Sequence, residues 1–138
     1  MTIEQAVPFF LVADLAASMR FYVDGLGFRM TKRWIDEGRI RWCWLERDRV
    51  AVMLQEMRAP ASGPRGAGAT VCFFCDDALA IYRELLARRI AAREPYVGNR
   101  LWVTELTDPD GYKLLFESPT DAPEETRYSD WLARRSKP

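Results

Sequence analysis

The apolar run Val7-Pro8-Phe9-Phe10-Leu11-Val12 has the length and composition of a strand, and it stops at Asp14, a residue type that caps helix N-termini. Past that cap, Leu15, Met19, Tyr22, Val23 and Leu26 recur at helical spacing as one apolar stripe, which Gly25 and Gly27 end. The pattern predicts a helix lying on a sheet. Three strand candidates follow, Phe28 to Ile35, Ile40 to Glu46 and Val50 to Glu56, separated by the polar turns Asp36-Glu37-Gly38 and Arg47-Asp48-Arg49. Residues 1–57 therefore read as a βαβββ module.

Residues 58–69 break the alternation. They hold Pro60, Ser62, Gly63, Pro64, Gly66 and Gly68, a composition suited to a linker. Beyond them the order begins again, with an apolar strand from Thr70 to Phe74, the cap pair Asp76-Asp77, and a helix turning Leu79, Tyr82, Leu85 and Leu86 inward. Placing Asp14 on Asp77 brings Ala17 onto Ala80, Met19 onto Tyr82 and Tyr22 onto Leu85, as an internal duplication would. This second module, residues 70–120, closes with a loop from Glu94 to Asn99, a strand from Leu101 to Leu106, the turn Asp108-Pro109-Asp110-Gly111, and a last strand from Tyr112 to Glu117. Asp at i, Pro at i+1 and Gly at i+3 each favour type I geometry, so a hairpin is expected there. Residues 121–138 form a tail in which Tyr128 to Arg135 predicts a short helix carrying Trp131 and Leu132.

Composition narrows the function classes. With 138 residues the chain suits one compact domain. Its 20 Lys+Arg balance 20 Asp+Glu, so no net field draws it to nucleic acid, and the pairs Arg88-Arg89 and Arg134-Arg135 read as solvated or helix-terminal charge. No apolar run approaches the roughly 20 residues that span a bilayer, which argues against a membrane protein. The start, Met1 to Val7, lacks a basic segment followed by an apolar one, so the expected location is the cytoplasm. Cys43, Cys72 and Cys75 are too few and too odd in number for a disulfide framework. Cys72 and Cys75 have CxxC spacing, but residues three apart on a strand point to opposite faces, so packing is expected rather than redox chemistry or metal binding. Histidine is absent, which excludes histidine-ligated metal centres and histidine acid–base catalysis.

Two βαβββ units, the motif Val12-Ala13-Asp14-Leu15-Ala16-Ala17-Ser18 with Phe21-Tyr22 and Leu26-Gly27-Phe28, and the late turn Asp108-Pro109-Asp110-Gly111-Tyr112 together resemble the vicinal oxygen chelate superfamily. This group contains glyoxalases, bleomycin-resistance proteins and extradiol dioxygenases. The resemblance covers roughly residues 5 to 120. It implies an α+β fold in which two βαβββ modules form a curved, nearly closed mixed sheet around a cleft, with helices outside. It also implies that metal-dependent members take ligands from the first and last strand of each module. By motif spacing those positions fall on Val7, Met53 or Gln55, Thr70 and Leu115, residues that hold a divalent metal poorly. The expectation is no metal and no cofactor, as in the metal-free bleomycin-resistance branch.

Alternation from those positions places Val7, Phe9 and Leu11, and likewise Thr70, Cys72 and Phe74, toward the cleft, with Ala51, Met53, Gln55, Lys113, Leu115 and Glu117 beside them. Trp42 and Trp44 share one strand face, and Trp34 and Trp102 lie on neighbouring or equivalent strands. Tryptophans grouped in this way stack on planar or cationic ligands, although any single one is better explained by packing than by ligand contact. The candidate ligand-binding residues are therefore Phe9, Trp42, Trp44, Met53, Gln55, Phe74, Trp102, Leu115 and Glu117. Arg100 and Lys113 could orient a ligand. Glu117 and Glu105 are the catalytic candidates if burial tunes them.

The leading functional expectation is a metal-independent small-molecule binder, a homodimer that sequesters a drug or aromatic metabolite and so confers antibiotic resistance. The alternative is an enzyme of the same fold, either a carboxylate-based isomerase, epimerase or hydrolase, or an oxygen-ligated metal lyase or dioxygenase relative. A third class is a partner module, for which an exposed apolar patch without a pocket would be the sign.

Overall fold

The computed structural model describes residues 1–59 and 65–136. The chain divides into two compact units, one made of residues 1–67 and 108–111, the other of residues 68–107 and 112–138. Of the stretch expected as a linker, residues 60–64 lie outside the described residues, and residues 65–68 form a turn.

In the first unit β1 (Phe9–Val12) leads into α1 (Leu15–Met19), which continues as a π-helical turn over Arg20–Gly25. Then come β2 (Arg29–Asp36), β3 (Arg39–Arg47) and β4 (Val50–Glu56), in the sheet order β1-β4-β3-β2 with β1 parallel to β4. The second unit has β5 (Thr70–Phe74), α2 (Ala78–Ala87), β6 (Tyr96–Gly98), β7 (Leu101–Thr107) and β8 (Lys113–Pro119), in the order β5-β8-β7-β6 with β5 parallel to β8. Strand order and the single parallel pair are the same in both, so the duplication read from the helices extends to the sheets. The architecture is α+β, with two four-stranded mixed sheets. Tyr96–Gly98, expected as loop, is a strand: Pro95 and Asn99 leave it three residues, too short to show alternation.

The two helices start in the same way. Asp14 and Asp77 adopt extended backbone, and the Oδ1 of each accepts a hydrogen bond from the amide three residues on, Ala17 N at 3.2 Å and Ala80 N at 3.0 Å. Their aligned positions Tyr22 and Leu85 are both buried. The inward stripe of the first helix differs from expectation by one position. Ser18 is fully buried, while Met19 and Val23 are only half-buried at its margin.

A polar group sits in that centre because the Asp108-Pro109-Asp110-Gly111 turn belongs by contact to the first unit. Gly111 N donates to Asp108 O at 3.1 Å, and Gly111 holds a φ of 92°, which glycine adopts without a Cβ penalty. Both aspartates are buried. Asp110 Oδ1 accepts from Ala13 N at 2.9 Å and from the Arg65 guanidinium at 3.3 Å, and its Oδ2 accepts from Ser18 Oγ at 3.4 Å. Asp108 Oδ2 accepts from Tyr22 OH at 2.7 Å, and its Oδ1 accepts from Asp110 N at 2.9 Å. The turn therefore satisfies the Ala13 amide just before the helix cap and the Ser18 and Tyr22 hydroxyls, as well as closing a hairpin.

The tail also acquires a place. α3 (Tyr128–Arg135) sets Tyr128 and Trp131 against a buried cluster of Ala78, Leu79, Val97 and Trp102, whereas Leu132 stays exposed. Trp102 meets Trp131 edge to face at a centroid distance of 5.6 Å.

Candidate functional site

In each unit the helix covers one face of the sheet and leaves the other open. On the first sheet, Phe10, Val12, Cys43, Leu45, Val52 and Leu54 are buried on the helix side. The opposite face is built of two cross-strand rows. One runs Phe9, Met53, Trp44, Lys32, and the other Leu11, Gln55, Trp42, Trp34. Phe9 is 46% exposed, Leu11 42% and Trp34 46%, a large amount of apolar surface, divided between the two edge strands of the sheet. The structure thus brings five of the predicted residues, Phe9, Trp42, Trp44, Met53 and Gln55, onto one surface.

Lys32 reaches that surface because the ladder slips. Arg29 pairs with Glu46 and Met30 with Leu45, but Lys32, not Thr31, pairs with Trp44. Thr31 is the extra residue of a β-bulge. Arg29 and Lys32, three apart in sequence, both lie beside open-face residues as a result. Trp44 is held between two charges: its Nε1–H donates to Glu46 Oε1 at 2.8 Å, and Lys32 Nζ stands 4.8 Å from the ring centroid. A groove of about 270 Å³ lined by Gly27, Arg29, Glu46, Arg47 and Asp48 opens beside this group.

The open face of the second sheet carries the rows Phe74, Glu117, Val103, Tyr96 and Cys72, Leu115, Glu105, then Thr70, Lys113, Thr107. Phe74 is 73% exposed, and Leu115 and Glu117 are half-buried. Partial desolvation of the sulfur, followed by the adjacent Glu117 carboxylate, pushes the thiol of Cys72, an exposed residue, up to about 12. Cys75 Sγ donates instead to the Glu117 backbone carbonyl at 3.6 Å, and all three cysteines are free thiols. Glu105 lies 4.0 Å from the Arg93 guanidinium, which stacks over Tyr96 at 4.6 Å. Arg100 sits in the turn between β6 and β7, its amide bonded to Glu124 Oε1 at 2.9 Å. A second groove, of about 560 Å³, runs along Arg93, Tyr96, Gly98, Glu124 and Arg127.

Trp102 does not join either surface. It pairs with Ser118, so it lies on the face opposite Glu117, and at 5% exposure it fills the core under α2 and α3. The expectation grouped it with the other tryptophans as a ligand-binding candidate, but it lies three residues from Glu105 on a regular strand and so points the opposite way from that open-face residue. Lys32, Arg29 and Tyr96 were missed: a bulge hides the first two from alternation, and the third sits in a three-residue strand.

The positions expected from motif spacing to match metal ligands hold an isopropyl group at Val7, a thioether or amide at Met53 and Gln55, a hydroxyl at Thr70 and an isobutyl group at Leu115. That donor set does not fit a divalent first-row metal, which wants imidazole, thiolate or carboxylate. Among the described residues no group of three or more Cys, Asp or Glu side chains is placed to hold a metal ion.

The chain matches the family described as the Glyoxalase/Bleomycin resistance protein/Dioxygenase superfamily over residues 3–116. No curated protein matches it. Among solved structures it is similar to the bleomycin resistance determinant encoded on transposon Tn5, at 22% identity and a TM-score of 0.69, covering 85% of this chain and 98% of that one. TioX from Micromonospora sp. ML1 is similar at 19% identity and a TM-score of 0.70, with coverage of 85% and 99%. TnmS3, an antibiotic binding protein from Streptomyces sp. CB03234, is similar at 20% identity and a TM-score of 0.65, with coverage of 87% and 100%. With its paired βαβββ units and a family match over most of its length, the chain belongs to the glyoxalase/bleomycin resistance protein/dioxygenase superfamily.

Proposed function

We propose that this protein is a metal-independent small-molecule binder that acts as a cytoplasmic homodimer and sequesters a drug or aromatic metabolite on its open sheet faces. The observation that carries the reading is the first sheet's uncovered surface, where Phe9, Leu11, Trp34, Trp42, Trp44 and Met53 lie in two adjacent rows. Aromatic side chains presented in this way bind planar molecules by stacking and by excluding water. Two of the similar structures are described as a bleomycin resistance determinant and an antibiotic binding protein, which supports the same ligand class. The ligand-equivalent positions Val7, Met53, Gln55, Thr70 and Leu115 offer no charged donor, which supports metal independence.

Isothermal titration and thermal-shift screening against bleomycin-like and other planar compounds test this reading. A saturable, one-site heat and a raised melting temperature with at least one planar class are expected, both unchanged by a chelator. Absence of any shift across a broad planar set, or stoichiometric metal in protein purified without chelator or affinity tag, would refute it.

A second reading rests on Glu117, half-buried in the middle of the second sheet's open face beside Cys72. A carboxylate so placed could move a proton in an isomerase or hydrolase. Loss of turnover in Glu117→Gln with ligand binding retained would favour it over simple sequestration.

A further inference from the structure

We infer that the ligand of the first sheet's open face is a planar aromatic anion, with Lys32 as its charge partner; this rests on the small-molecule reading above and narrows it to a chemical class. The bulge at Thr31 carries the inference. In an unbroken ladder continuing from Arg29 and Glu46, Thr31 would face Trp44, and Lys32 would pair with Cys43 on the helix-covered side. The extra residue turns Lys32 and Trp34 out onto the face that holds Trp42 and Trp44, and bulges re-aim side chains in this way beside binding sites.

The charges there are unequal. Arg29 and Lys32 stand at the Trp44 end of the face against Glu46, whose carboxylate is already engaged by the indole N–H of Trp44 at 2.8 Å. At the edge, Arg47 and Asp48 face each other at 3.8 Å, and the Arg47 guanidinium donates to Leu26 O at 2.7 Å. Lys32 also holds one face of Trp44, which leaves the exposed Trp34 and its cross-strand neighbour Trp42 as the stacking pair. A ring laid on that pair would bring an acidic substituent within reach of the lysine ammonium. A cationic ring system would meet the same ammonium as a like charge.

The test uses three molecules of one ring and different charge: 2-naphthoate, 2-naphthalenemethanol and 2-naphthylmethylammonium. Each is titrated into the full-length ¹⁵N-labelled protein while the indole N–H signals of the five tryptophans are followed. Naphthoate is expected to shift the Trp34, Trp42 and Trp44 signals, leave Trp102 and Trp131 in place, and bind roughly fivefold tighter than the alcohol, the size of one exposed charge contact. The ammonium compound is expected to bind more weakly than the alcohol. Lys32→Met should remove the preference and Lys32→Glu reverse it, whereas Glu46→Gln should strengthen it. If the alcohol shifts those three indoles but naphthoate binds no tighter, or if Lys32→Met leaves the preference intact, the anion inference falls and the small-molecule reading stands. If none of the three compounds moves these signals at millimolar concentration, both fall together.

Discussion

Replacing Asp110 with alanine tests whether the late turn is a structural clamp for the first helix or only a connection between strands. The side chain is 6% exposed and is the acceptor for Ala13 N, Ser18 Oγ and the Arg65 guanidinium, at 2.9, 3.4 and 3.3 Å. A buried donor left without a partner costs about 1–3 kcal/mol. The Ser18 hydroxyl can turn back to the Asp14 carbonyl one helical turn away, so its loss falls near about 1 kcal/mol. The Ala13 amide, on an exposed residue just before the helix cap, can turn to water, so its loss also costs about 1 kcal/mol. The half-buried Arg65 pair adds about 1 kcal/mol or less. The expected destabilisation is about 2–3 kcal/mol, a large part of the roughly 5–15 kcal/mol that holds a domain together. In urea unfolding followed by circular dichroism, that moves the midpoint down by about 1–2 M at an unchanged slope. Ser18→Ala alone should cost about 1 kcal/mol, and the Ser18→Ala/Asp110→Ala pair less than the sum of the singles, because they share one bond. A midpoint for Asp110→Ala within about 0.3 M of the parent would show that the clamp contributes little.

The two tryptophan classes separate by the same measurement. Trp102→Ala empties a core site beneath α2 and α3 and should cost about 3–5 kcal/mol, whereas Trp34→Ala, nearly half exposed, should change stability by about 0.5 kcal/mol or less and act on ligand binding instead. Cys72 should alkylate slowly with iodoacetamide at pH 8 despite its exposure, since its thiol is pushed up to about 12 and thiolate forms only as pH rises toward that value. Glu117→Gln should speed its labelling roughly threefold or more, read by mass spectrometry at each cysteine, and an unchanged rate would show that the carboxylate does not act on the thiol.

Much of the fold was legible because its signals are local. Asp14 and Asp77 announce two helix starts by chemistry that needs only the next three residues, and alternation from Phe9 to Leu11 assigns their face without knowledge of any partner strand. Features that depend on pairing were not. Phe28, Met30, Lys32 and Trp34 alternate as if they shared one face, yet Phe28 is buried, Met30 pairs with the buried Leu45, and Lys32 and Trp34 face out, since the ladder slips at a residue that carries no glycine or proline to mark it. The aspartates of the late turn read as turn formers, and nothing near them in sequence shows that Ala13, Ser18 and Tyr22 are their donors. Trp102 is a different case. Its odd separation from Glu105 already set the two on opposite faces, and the grouping of tryptophans by type overrode that signal.

The bulge at Thr31 also bears on how such a surface changes over generations. Because side chains alternate with a period of two, losing the one codon for Thr31 would restore a plain ladder with the same partners, Lys32 on Trp44 and Trp34 on Trp42. Keeping Thr31 and flattening the bulge would instead withdraw Lys32 and Trp34 from the surface and bring Arg33 up beside Trp42. The row of ligand contacts therefore survives loss of the bulged residue but is rewritten at once by a one-residue slip that pairs Thr31 with Trp44. Point substitution would need several independent steps to do the same, so the register of strand β2 at Thr31 is a place where one ligand preference can give way to another abruptly.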